Sequence, residues 1–184
     1  METNKNLFWN KAMFWGFVIA LASMLAATIY YSTDNFFSKL KLWVDIAIIA
    51  AGVVTCGIIY RQSLDEKDPF PYPKAFGLGM ATTLFASLIL AVFTFVLYKF
   101  IDPSLTEQLL ANSEETLIAA GFTDEMIEQQ LEMSGKFMNP AFMSITTIFQ
   151  VLFSGLIVSL ITSIFLKKKT ADGFAAVMSD INED

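Results

Sequence analysis

Four blocks of this chain, residues 12–31, 42–60, 75–101 and 141–166, are almost wholly apolar. An α-helix rises about 1.5 Å per residue, so about 20 such residues cross the roughly 30 Å hydrocarbon core of a bilayer. Runs of this length are too long for the buried strands of a soluble protein. The rest of the composition agrees. Only 16% of residues are charged, below the roughly 25% of soluble domains, and mean hydropathy is +0.55. The expected fold is an all-α integral membrane protein, a four-helix transmembrane bundle. A short amphipathic helical segment, 102–140, lies between spans three and four. Residues 1–184 read as a single membrane domain, with 167–184 as its tail.

The first span follows Lys5 and Lys11 and is longer than a signal-peptide core, which predicts an uncleaved signal anchor. The only cysteine, Cys56, falls inside span two, so no disulfide forms within one chain. Orientation follows from Lys and Arg, because acidic residues contribute little to it. Eight of the twelve basic residues lie on the side of the two termini, and four, Lys39, Lys41, Lys99 and Lys136, on the other. The expectation is a membrane protein with both termini cytoplasmic.

The connections carry their own signals. Trp9 and Trp15 suit one headgroup region, and Tyr30, Tyr31, Phe36, Phe37 and Trp43 the other. A short first connection makes spans one and two antiparallel neighbours. The stretch "DEKDPFPYPKAFGLGM" joins spans two and three with three prolines, which cannot sit inside a helix without losing hydrogen bonds. It predicts a stiff interfacial turn, with Phe70, Tyr72 and Phe76 on the membrane surface; a docking site for a partner is the alternative. Gly77 and Gly79 then offer span three a close approach to a neighbouring backbone.

Residues 102–140 hold eight acidic residues and one lysine, yet have helix grammar. Ser104 and Glu107 form a capping box, Ser113 starts a second short helix ending at Gly121, and Thr123 with Asp124 and Glu125 starts a third. Ile127 and Leu131 share a face beside Met126. The segment is expected either to cap the bundle as a solvated helical layer or to act as an interaction surface through Glu114, Glu115, Glu128 and Glu132.

The chemistry available is narrow. Histidine is absent, which removes the commonest general base and metal ligand. No catalytic residue, cofactor or metal site is expected, and the net charge of −6 argues against a nucleic-acid partner. Two polar residues inside spans stand out. Asp45 lies about one turn into span two with Lys41 four residues earlier, either as an interfacial ion pair or as a group handling ions or protons. Gln150 lies well inside span four, with Thr146, Thr147 and Ser154 on the same side. Hydroxyls of span three (Thr82, Thr83, Ser87 or Thr94) are its expected partners, and a substrate contact is the alternative. Small residues repeat every fourth position at Gly155, Ser159 and Ser163, and at Ala47, Ala51 and Thr55; both repeats predict tight helix contacts.

The lysine-aromatic-glycine entry in "YPKAFGLGM", the acidic "GFTDEMIEQQLE", the "NP" before span four and its "FLKKK" end together resemble a bacterial, Bacteroidetes-type family of four-span inner-membrane proteins of unknown function. The resemblance covers nearly the whole chain and implies topology and location, with no catalytic residues to carry over. The leading functional expectation is a non-enzymatic accessory or assembly protein working in the lipid bilayer with a membrane-protein partner or as a homo-oligomer. A small oligomeric transporter or channel subunit comes second and a membrane-embedded enzyme third.

Topology is tested with single cysteines in a Cys56→Ala background. An impermeant thiol reagent added to spheroplasts is expected to label Gln130→Cys and to spare Ser63→Cys; the opposite labelling inverts the topology.

Overall fold

The computed structural model describes residues 2–64 and 69–167. Six α-helices make up the described chain: α1 Glu2–Ser32, α2 Lys39–Gln62, α3 Tyr72–Val96, α4 Leu105–Ala119, α5 Asp124–Phe137 and α6 Pro140–Leu166. A π-helical turn, Leu97–Ile101, extends α3. Four stretches are long and apolar enough to cross a membrane: Asn6–Ser32, Lys39–Gln62, Tyr72–Ile101 and Pro140–Leu166. The protein is therefore a multi-pass membrane protein built as a helical bundle. The expectations for the tail beyond Lys167 and for Asp65 to Asp68 fall outside the described residues.

Each span begins or ends where backbone chemistry requires. Asn139 caps α6 by accepting a hydrogen bond from the Phe142 amide at 2.9 Å, and Pro140 follows at the position where a missing N–H costs nothing. Pro73 is tolerated for the same reason, since α3 starts at Tyr72 and places it in the first turn. The span thus begins earlier than the prolines suggest. Around the bundle the order is α1, α2, α6, α3, with α2 and α3 also touching across the middle. Spans one and two are neighbours as expected.

The most extensive interface joins α3 and α6. Gly155, Ser159 and Ser163 are all buried there, as their four-residue repeat predicts. A Cβ on Gly155 would collide with Cβ, Cγ2 and Oγ1 of Thr83, and one on Gly79 would reach Ser159 Cβ at 2.9 Å. Gly16 of α1 makes a similar approach to α3, where a Cβ would stand 2.8 Å from the Thr82 carbonyl oxygen. Gly77 differs from expectation, with nothing within 4 Å of its added Cβ. The repeat Ala47, Ala51, Thr55 also differs: Ala47 and Ala51 are exposed. Instead α2 packs through Ile49, Gly52, Val53, Cys56, Gly57 and Tyr60, whose spacing forms the buried stripe.

At the end of the bundle that carries the termini of α2 and α6 and the start of α3, Phe70 is fully buried against Tyr60, with ring centroids 5.3 Å apart. It is a plug in the core rather than a surface anchor. Tyr72 and Phe76 stack on each other at 6.4 Å and remain half-buried. The Lys74 ammonium sits 5.5 Å from the centre of the Tyr60 ring, a cation–π contact that closes this end.

At the opposite end the expected aromatic collar is partly turned inward. Tyr31, Phe36 and Phe37 pack on a small core of Leu97, Tyr98 and Leu105, while Trp43 stays 68% exposed. The capping box at Ser104 does not form, because Ser104 is itself helical in backbone conformation. Asp102 takes that role, accepting from the Ser104 hydroxyl, the Ser104 amide and the Tyr31 hydroxyl. The Ser104 hydroxyl bond, helped by Tyr31 and opposed by partial burial, holds the Asp102 carboxyl below the usual carboxylate range. Ser113 likewise does not start a helix. It lies inside a continuous α4 and bonds to the Leu109 carbonyl, so two helices stand where three were expected. The turn into α5 is a Schellman motif: Phe122 N–H bonds to Leu117 and Gly121 N–H to Ile118, with Gly121 at φ 81°.

The α3–α6 contact gives a direct test. Gly155→Ala is expected to destabilise the bundle by about 1–3 kcal/mol through overpacking against Thr83. Thr83→Ala in the same chain should restore most of the loss. Gly77→Ala, with open space around it, should cost nothing. Steric-trapping or detergent unfolding measures all three, and equal losses at Gly155 and Gly77 would refute the close-contact account.

Candidate functional site

The π turn, the α1–α2 connection and the first turns of α6 meet at the end of the bundle bearing α4 and α5. There α2 and α6 do not close on each other. Near the other end they touch, where a Cβ on Gly57 would strike the Leu166 side chain. Towards the hairpin they leave a cleft of about 310 Å³, with α1 and α3 at its back. That volume is at the low end of the roughly 300–1,000 Å³ of small-molecule sites.

Both polar residues singled out within spans line this cleft, from opposite walls. Asp45 of α2 is ion-paired to Lys41, Nζ to Oδ2 at 2.8 Å, and both side chains are 19% exposed. Lys41 Nζ also lies 5.1 Å from the centre of the Phe36 ring at the mouth. Gln150 of α6 faces the cleft together with Thr146, Thr147 and Ser154. The expected bonds from Gln150 to hydroxyls of α3 do not form, and Gln150 is exposed. Those hydroxyls are used locally: Thr82, Thr83 and Ser87 each donate to a carbonyl one turn back on α3. The cross-helix polar contact is instead Thr147 to Thr94, at 3.2 Å.

One cleft residue gave no signal in the sequence beyond being small. Ser23 of α1 is 6% exposed and lines the back of the cleft, and its Oγ has no hydrogen-bond partner. Ala27, one turn away, lines the cleft with it. A search for serines on the packing stripe of a span (Ala12, Gly16, Ile19, Ala20, Ser23, Ala27) would have found it.

The acidic candidates lie elsewhere, on the α4–α5 hairpin. Glu114, Glu128 and Glu132 border a shallow groove over Ile118, Ile127 and Leu131, and Glu115 stands outside it; all four are exposed. Ile127 is buried in the hairpin, as its shared face with Leu131 predicts. Met126, Ile118, Phe122, Met133 and Phe137 remain exposed. Cys56 is buried, with its Sγ 3.4 Å from the Thr82 hydroxyl. Among the described residues no three His, Cys, Asp or Glu side chains are grouped to hold a metal ion.

No curated protein and no solved structure matches this chain. A family model described as "Protein of unknown function (DUF4199)" matches residues 14–168, which takes in most of the first span, the other three spans and the hairpin. The bundle, the cleft and the acidic hairpin are therefore features of a chain that belongs to the DUF4199 family.

Proposed function

We propose that this protein is a non-enzymatic accessory or assembly protein of the bacterial cytoplasmic membrane. Both termini face the cytoplasm and the α4–α5 hairpin serves as the interaction surface on the other side. The observation that carries the reading is the hairpin's composition. Exposed Glu114, Glu115, Glu128 and Glu132 sit beside exposed Ile118, Phe122, Met126 and Met133. Acids beyond the first turn add nothing to helix capping, and they set up a negative field that steers a basic partner. Exposed apolar side chains between them supply area to bury against that partner or against the membrane surface.

Changing Glu114, Glu115, Glu128 and Glu132 together to Gln keeps size and helix propensity and removes four charges. The variant is expected to insert normally and to lose a partner that co-purifies stoichiometrically with the wild type. Salt well above about 0.1 M should weaken the wild-type complex, since the screening length there is about 10 Å. Equal recovery of the partner by both proteins would leave the hairpin as a solvated cap.

A second reading, a small oligomeric transporter or channel subunit, is favoured by the cleft that holds Asp45 and Gln150. The two readings differ over Asp45. If the carboxylate only anchors Lys41, Asp45→Asn should leave accumulation and cellular phenotype within about twofold of wild type, because the isosteric amide oxygen still accepts the Lys41 hydrogen bond. If it handles ions or protons, the same change should abolish flux in liposomes while insertion stays normal.

A further inference from the structure

We propose that the cleft between the hairpin-side halves of α2 and α6 is a water-filled binding site for a small polar solute of zero net charge. The proposal rests on the transmembrane placement of the helices and is independent of any role for the hairpin.

Depth comes first. Ser23 is nine residues from the end of α1 at Ser32, and Gln150 is ten from the start of α6 at Pro140. At about 1.5 Å per residue, both lie roughly 14–15 Å inside, near the middle of the bilayer core. Hydrocarbon offers no hydrogen bonds at that depth, so polar groups there are turned to protein, water or ligand. Several hydroxyls elsewhere in the spans follow this rule by bonding one turn back, as Thr28 does to Met24 and Thr55 to Ala51, while Ser159 and Tyr60 are buried without a partner. Ser23 likewise has no partner, although it is more than nine-tenths buried. Gln150 makes no hydrogen bond among the described residues, and it lines the cleft. The cleft therefore presents the unbonded Gln150 amide of α6 opposite the Lys41–Asp45 pair of α2, with Thr146, Thr147 and Ser154 beside it and the Ser23 hydroxyl sealed behind its back wall.

The chemistry of the walls selects the occupant. An acyl chain would fill the volume but leave the Gln150 amide unpaired. A bare ion would exchange its hydration for neutral dipoles, because the Asp45 carboxylate is already matched by Lys41 at 2.8 Å. The fixed charges of the cleft cancel, and the Gln150 amide can both donate and accept. An uncharged polyol or amide, or a zwitterion whose two ends meet the Lys41–Asp45 pair, satisfies these groups. Ile49, Leu90 and Val151 provide apolar contact along the way. Water at about 30 Å³ per molecule would fill about ten places in the empty site.

The test uses the full chain in lipid nanodiscs, where both membrane faces are open to solvent and orientation is immaterial. Gln150→Cys, in a Cys56→Ala background, is expected to react with a small water-soluble methanethiosulfonate within about tenfold of the rate at Gln130→Cys. Ser159→Cys, at a buried serine outside the cleft, should stay unreactive. Glycine or sorbitol should slow labelling of Gln150→Cys at least threefold in a saturable manner, while sodium chloride and a long-chain fatty alcohol should not. On otherwise wild-type protein, the same solute should raise Tm saturably, and Gln150→Leu should lose the shift while staying monodisperse. Lack of reaction at position 150 overturns the aqueous cleft. Reaction without protection by glycine or sorbitol, or protection by salt or fatty alcohol instead, overturns the solute class. None of these outcomes alters the hairpin charges, so failure here leaves the partner-docking reading standing.

Discussion

The contact on which the other features of this bundle depend is the close approach of α3 to α6. In a membrane, hydrophobic side chains gain little by leaving lipid for one another, so association relies on close packing and on interhelical hydrogen bonds. Gly155 set against Thr83, and Gly79 set against Ser159, bring two backbones together over about one turn. That seam leaves α3 the most buried of the four spans, at 44% of its apolar window against 28–33% in the others. Its buried face is wide enough for α1 to pack on it as well, with Gly16 against the Thr82 carbonyl.

With α3 held so tightly by α6 and α1, α2 is the span left with slack. It touches α6 through Gly57 and Leu166, and α1 through Gly52 and Ile19, both on the side away from the hairpin or near the middle. Beyond Ile49 the residues of α2 turn polar at Asp45 and Lys41, which form their own pair instead of packing on α6. The facing part of α6 carries Gln150, Thr146 and Thr147 in place of the small residues found lower down. The cleft is the consequence: the small-residue seam ends before the hairpin side is reached, and polar residues line the space that remains.

Much of this architecture was legible in the chain. Span number and type follow from block length alone, and the repeat Gly155, Ser159, Ser163 marks the α6 seam correctly. The parallel repeat Ala47, Ala51, Thr55 misleads because small residues are also common where a span faces lipid, and spacing does not say which face is turned inward. Gln150 was conspicuous, but its surroundings were not. Thr82, Thr83 and Ser87 bond to their own helix, a local option open to any Ser or Thr in a helix, and so are not free to receive an amide from α6. Ser104 fails as a cap because its backbone is already helical and its hydroxyl is spent on Asp102, two residues earlier, which also accepts from the Ser104 amide and from Tyr31. Phe70 was assigned to the surface because a proline-rich turn ordinarily lies there. Its burial depends on a vacancy beside Tyr60 that only the tertiary packing creates.

Three buried side-chain oxygens have no partner among the described residues: Ser23 Oγ, Tyr60 OH and Ser159 Oγ. Their settings separate a packing defect from a site. Ser159 lies in the α3–α6 seam, where its small size is what Gly79 requires and its hydroxyl accompanies that size. Tyr60 is held by rings, Phe8 at 5.9 Å and Phe70 at 5.3 Å, with the Lys74 ammonium against its face, so its fit is decided by its aromatic body. Ser23 has neither reason. Alanine would fill its place on α1 as Ala20 and Ala27 do, without a hydroxyl to satisfy. Its hydroxyl is sealed behind the back wall of the cleft, whose open space holds the unbonded Gln150 amide. Cleft and hairpin lie at the same end of the bundle. Leu109 of α4 already lines the cleft, giving the hairpin a direct place at its mouth.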